Sequence, residues 1–146
     1  MRYAMLFFIL TAIFSVNAQS VLDFKKKTST NATSRTAMLD LLRAEVKKEI
    51  NQDVVFVVNH FLVSGNYAWL EATAQSKTSG KQLIMPGDDF DCCHAQALFV
   101  KNSKGNWQIE ASGAFSTDMW YYCIGKEYPK ANPRIFTQGA YNSNCE

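Results

Sequence analysis

The sequence predicts an α+β fold: one N-terminal helix packed on a curved four-stranded antiparallel sheet, with a C-terminal tail pinned by disulfides. Three observations predict it. Apolar residues recur at helical spacing beyond residue 33, four β-rich runs follow in two hairpin-like pairs, and the cysteines, Cys92, Cys93, Cys123 and Cys145, all lie in the second half of the chain. One amphipathic helix followed by sequential antiparallel strands most simply curls the sheet around the helix, a roll.

The helix is expected from Ser34. Met38, Leu42, Val46 and Ile50 recur every four residues, with Leu39 widening the stripe and Asp40, Arg43, Lys47 and Lys48 mostly off it. Thr33 or Ser34 can cap its start, Lys47 and Lys48 suit the negative end of the helix dipole, and Asn51 tolerates the left-handed conformation that stops a helix. A β-branched run from Val54 to Val63 turns at Ser64, Gly65 and Asn66 into a second strand, Tyr67 to Gln75. In that strand Ala68, Leu70, Ala72 and Ala74 share the face that suits a helix, and Tyr67, Trp69, Glu71, Thr73 and Gln75 share the other. A loop over residues 76–91 leads to a third strand near Cys93–Lys101. The turn 103–106 opens a fourth, in which Trp107, Ile109 and Ala111 alternate with Gln108, Glu110 and Ser112. Residues 116–121 are expected to form a short helical turn, and the tail from Pro129 to run irregularly over the surface.

Before this domain lie two segments of different character. Arg2, an apolar stretch from Ala4 to Phe14 and the compact Val16 and Ala18 read as a secretion signal, residues 1–18, so the mature chain is expected to start at Gln19. The apolar stretch is short for a bilayer span, and no stable membrane insertion is expected once it is removed. Residues 19–32, rich in Lys, Ser, Thr and Asn, read as a flexible leader, and 33–146 as one domain. Loss of Arg2 leaves fourteen basic against thirteen acidic side chains. That balance argues against nucleic acid or an anionic membrane as partner, because both need a concentrated basic surface.

Four cysteines in an exported chain point to disulfides in a secreted or periplasmic setting. Adjacent Cys92 and Cys93 would need a distorted peptide to bond each other, so each is expected to pair with one of Cys123 and Cys145, in either arrangement. The cluster Asp88, Asp89, Asp91, Cys92, Cys93 and His94 has ligand chemistry, yet neighbouring side chains at a strand start diverge and no second spaced Cys/His pair exists. No metal site and no cofactor is assigned. His60 and His94 are the histidines, and either would need Asp118 and a nucleophile within hydrogen-bond reach to act as a hydrolytic base. No catalytic residue is assigned. Asn31, Ala32 and Thr33 form an N-glycosylation acceptor triplet. Aromatics concentrate at Tyr67, Trp69, Trp120 and Tyr121, the candidate binding residues. Tyr67 and Trp69 lie on the face left over once the small-residue face has met the helix, a face expected either to be covered by the C-terminal segment carrying Trp120, Tyr121 and Phe136 or to stay exposed in part and anchor a partner or a second copy.

Several short stretches resemble small exported bacterial proteins without an assigned activity that have a cystatin-like or nuclear-transport-factor-like roll. They are Arg35 with Met38 through Arg43, Val55–Val58, Gly65–Leu70, Ala97–Leu98, Asn106–Ile109 and Asp118–Trp120. The resemblance implies the fold. The chain departs from that pattern at Asn51, where a glycine is usual, and in the paired Cys92 and Cys93. It also lacks the Gln-x-Val-x-Gly hairpin of true cystatins, so protease inhibition does not carry over. The functional expectation is an exported non-enzymatic binding or interaction domain contacting an unknown protein, a small ligand or a second copy in a homodimer. Its alternatives are a small hydrolase using a His/Asp pair and a self-associating envelope accessory protein.

Overall fold

A computed structural model describes residues 19–145, and the expected signal 1–18 lies outside the described residues. The order of elements is β1 (Leu22–Asp23), α1 (Ala32–Ile50), β2 (Val54–Ser64), β3 (Tyr67–Ser76), β4 (His94–Lys101) and β5 (Trp107–Ala114). Two short 3₁₀ turns follow, Ile124–Lys126 and Pro133–Ile135. Helix α1 buries Met38, Leu39, Leu42, Val46 and Ile50, the stripe read from spacing, and Asn51 ends it at φ 53° with its N–H donating to the Lys47 carbonyl. The start differs from the sequence reading: the helix begins at Ala32, and neither Thr33 nor Ser34 caps it.

All neighbours in the sheet are antiparallel, in the order β1-β2-β3-β4-β5, so the sheet has five strands and not four. The extra strand comes from the segment read as a flexible leader. Leu22 and Asp23 pair with Val63 and Leu62, Phe24 is buried, and Arg35 holds the following turn by donating from Nε to the Phe24 carbonyl (2.8 Å). A two-residue strand carries no alternation, and one buried phenylalanine among lysines and threonines leaves no pattern to read. Asn31 is buried too, its Oδ1 accepting from the Thr28 N–H (2.9 Å) and its Nδ2 donating to the Lys26 carbonyl (3.0 Å), so the fold shields the Asn31 side chain.

Two bulges decide which side chains face which layer. The β2–β3 register shifts between Val58 and His60, which keeps Phe56, Val58, Phe61 and Val63 together against the helix. The β4–β5 register shifts between Leu98 and Phe99, where Phe99 pairs with Ile109 and Leu98 with Ala111. Trp107 and Ile109 therefore pack on the helix side and Ala111 on the opposite side, against the single alternation expected through that strand. The helix-side core joins Met38, Leu39 and Leu42 to Phe61, Leu70, Ala97 and Phe99. The outer face carries a second core, in which Trp69 and Leu98 are covered by Ile124, Ala131, Ile135, Phe136 and Ala140 of the C-terminal segment. That segment is a third layer and not a loose surface tail.

The cysteines pair locally, contrary to the expected link between tail and third strand. Cys123 is bonded to Cys145, and Cys92 lies at disulfide distance from its neighbour Cys93. What pins the tail to the sheet is hydrogen bonding and packing: His60 Nε2 donates to the Ile135 carbonyl (2.6 Å) and Thr137 donates to the Glu71 carboxylate (2.5 Å). Disulfide bonding of this kind suits an oxidising environment outside the cytoplasm. No described helix is long and apolar enough to cross a membrane.

Candidate functional site

Tyr67, Trp69, Trp120 and Tyr121, the candidate binding residues, do come together, with Trp69 inside and the other three half-buried around it. Trp69 is fully buried, with ring centroids of Trp120 and Phe136 at 6.1 and 5.8 Å and its indole N–H donating to Glu71 (3.1 Å). Tyr121 stands edge-on to Trp120 and Tyr67 edge-on to Tyr128. Gly113 on β5 admits the Trp120 indole, with which a Cβ at that position would collide. Of the two outcomes open to this face, the structure shows the covered one: the segment after β5 packs on Trp69.

Among the clefts open to solvent, three gather polar or titratable side chains around the helix ends and the β4 start. Between the first turns of α1 and the β4–β5 turn lies a cavity of about 380 Å³ lined by Thr33, Ser34, Ala37, Leu41, Lys101, Gly105, Asn106 and Trp107. Its wall is the half-buried Trp107 indole, over whose ring Lys101 Nζ sits 4.8 Å from the centroid. The two residues are a cross-strand pair, held opposite each other by the hairpin. The Trp107 Nε1–H finds no acceptor among the described residues. Leu41 and Ala37 supply apolar floor, and Thr33 and Ser34 bring hydroxyls from the exposed start of the helix. The sequence did hold a signal for this site, because a turn at residues 103–106 sets Lys101 against Trp107. Alternation alone groups Trp107 with Ala111, and the bulge separates their faces.

At the other end of α1 a cavity of about 300 Å³ is lined by Glu45, Glu49, Asp89, Ser112 and the segment Gly113–Thr117. Ser112 donates to Glu45 (2.5 Å). Partial burial, reinforced by the nearby Glu45 charge, pushes the Glu49 carboxyl above its ordinary range. The third cleft, about 170 Å³, gathers His94, Asp91, Asp118, Ser116, Thr117 and Tyr121. Here the structure unites His94 with Asp118, whereas His60 is remote in role, its ring spent on the Ile135 carbonyl. Ser116 Oγ accepts the Asp118 N–H (3.1 Å) and donates to the Asp118 carbonyl (3.2 Å), a local turn. Among the described residues no group of three or more His, Cys, Asp or Glu side chains is arranged to hold a metal ion. No family model, no curated protein and no solved structure matches this chain.

Proposed function

We propose that the protein is an exported, non-enzymatic binding domain. Its site is the cleft between the start of α1 and the β4–β5 turn, and its ligand is a small molecule with a flat apolar body and an acidic group. The observation that carries this reading is the Trp107 ring standing in that cleft with Lys101 Nζ 4.8 Å from its centroid. The half-buried indole offers apolar contact area, the ammonium offers a charge, and the two hydroxyls offer directional bonds, the mix of apolar wall and few polar groups that small-molecule sites share. Export rests on the segment 1–18 and is supported by the bonded cysteines. Titration with aromatic carboxylates such as benzoate and indole acetate, followed by calorimetry, tests the site. Trp107→Ala is expected to weaken binding by roughly tenfold or more, and Lys101→Met to weaken the carboxylates but not their neutral amides. Unchanged affinity in Trp107→Ala would refute the assignment.

One observation favours a second reading, a small hydrolase: His94, Asp118 and Ser116 line one cleft. A general base there would have to turn Ser116 out of its local bonds and take Asp118 or Asp91 as its orienting carboxylate. Under this reading the protein cleaves a nitrophenyl ester above the background rate and His94→Ala abolishes the excess; turnover that survives His94→Ala rejects it.

A further inference from the structure

One edge of the sheet is open. β1 covers only the far end of β2, through Val63 and Leu62, with a last bond from the Phe24 N–H to the Phe61 carbonyl (2.8 Å). The Phe61 carbonyl thus points away from β3, and carrying the antiparallel alternation back through the bulge at Asn59 turns the N–H and C=O groups of Val54, Phe56 and Val58 the same way. No backbone bond from another described residue reaches those groups. Sheet edges ordinarily guard themselves with lysine, proline or inward charge. The stretch Val54–Val58 is Val-Val-Phe-Val-Val, has none of these, and leaves Val57 47% exposed.

We propose that this edge is an interface between two copies of the chain, β2 pairing antiparallel with β2 about a twofold axis at Phe56, so that two five-stranded sheets become one. In this register Phe56 faces Phe56, and Val54 faces Val58 of the second copy. These are the residues whose main-chain groups point outward, so about six hydrogen bonds form. On the outer face exposed Val57 meets Val55 of the second copy, a β-branched cross-strand pair. Self-pairing is favoured over a foreign strand by the charges. Along the paired strands the middle has none, Asp53 comes opposite Asn59, and Gln52 opposite His60, so no like charges meet within the strand pair. The helix flank above the edge carries both signs: Arg43 lies 5.8 Å from the Phe56 ring centroid and 2.5 Å from Asp40, and Lys47 reaches Asp53 at 3.3 Å. Pairing through β2 closes at two, because a twofold contact consumes the β2 edge of each copy and the Asn59 bulge ends the run.

Sedimentation velocity on the oxidised protein over a range of concentrations is expected to show a monomer–dimer equilibrium. The amides of Phe56 and Val58 should gain protection from exchange as the dimer fills. Val55→Lys with Val57→Lys places like charges opposite each other twice across the axis and is expected to weaken the dimer by roughly tenfold or more. Val55→Glu with Val57→Lys places opposite charges there and is expected to restore it. Both side chains lie beside Gln75 and Thr73 of β3 at the surface, so the melting temperature, measured alongside, should stay close to that of the parent. A protein that remains monomeric throughout, a dimer indifferent to the double lysine variant, or failure of the Glu/Lys variant to recover it overturns the proposal.

Discussion

Replacing Trp69 by alanine is expected to cost about 3–5 kcal/mol of folding stability, the range for emptying a fully buried aromatic site. The indole sits between Trp120, Phe136 and Leu98, and its N–H is spent on Glu71, which Thr137 also holds. Removing it therefore opens a cavity and leaves a carboxylate short of a donor on the surface where the tail docks. In a domain of this size the loss corresponds to a fall in melting temperature of about 10–20 °C. Thermal unfolding followed by circular dichroism checks it. Trp107→Ala is the comparison: that ring is half-buried at a cleft and should cost much less, and equal losses at the two positions would contradict the two-core description.

The second large effect concerns Cys123 and Cys145, which are 22 residues apart in sequence. Closing a loop of that length removes unfolded-state freedom worth about 3 kcal/mol. Cys123→Ser with Cys145→Ser is expected to lose about that amount, and to lose it locally. The bonds from Gly125 N–H to the Ala140 carbonyl (2.9 Å) and from Cys123 N–H to the Gly139 carbonyl (3.0 Å) should exchange faster, while those of β3 and β4 keep most of their protection. Cys92 and Cys93 are adjacent, close no loop, and should cost far less when replaced by serine. Hydrogen exchange read by mass spectrometry separates the cases; tail amides unaffected by loss of the Cys123–Cys145 bond would show that packing alone holds the segment.

What the sequence disclosed and what it withheld divide along a physical line. Periodicity is local, so Met38, Leu42, Val46 and Ile50 gave the helix face, and Ala68, Leu70 and Ala72 the face beneath it. Asn51 stopped the helix for the conformational reason expected of it. Whatever depends on residues far apart was not legible. Leu22 and Asp23 form a strand only because Val63 and Leu62 are there to receive them. Trp69 and Trp107 look alike in an alternating pattern; a bulge and a covering segment make one buried and the other a cleft wall. The cysteines were paired by reach across the domain, while the chain satisfies them within single loops. Of the candidate site, His94 and Asp118 stand out by residue type and do share a cleft; Lys101 does not, since it belongs to no motif.

That the outer core is completed by residues following β5 bears on how the chain emerges during synthesis. The sheet and its helix are contiguous in sequence, and Asn51 to Ala114 can pair as soon as they are free. Until the segment that carries Ile124, Ile135 and Phe136 arrives, Trp69 and Leu98 face water. The nascent protein is thus sticky on one side for as long as it takes to make those last residues. That interval is when a holdase would be needed, and a stall or truncation just beyond β5 should yield an aggregate and not a smaller stable domain.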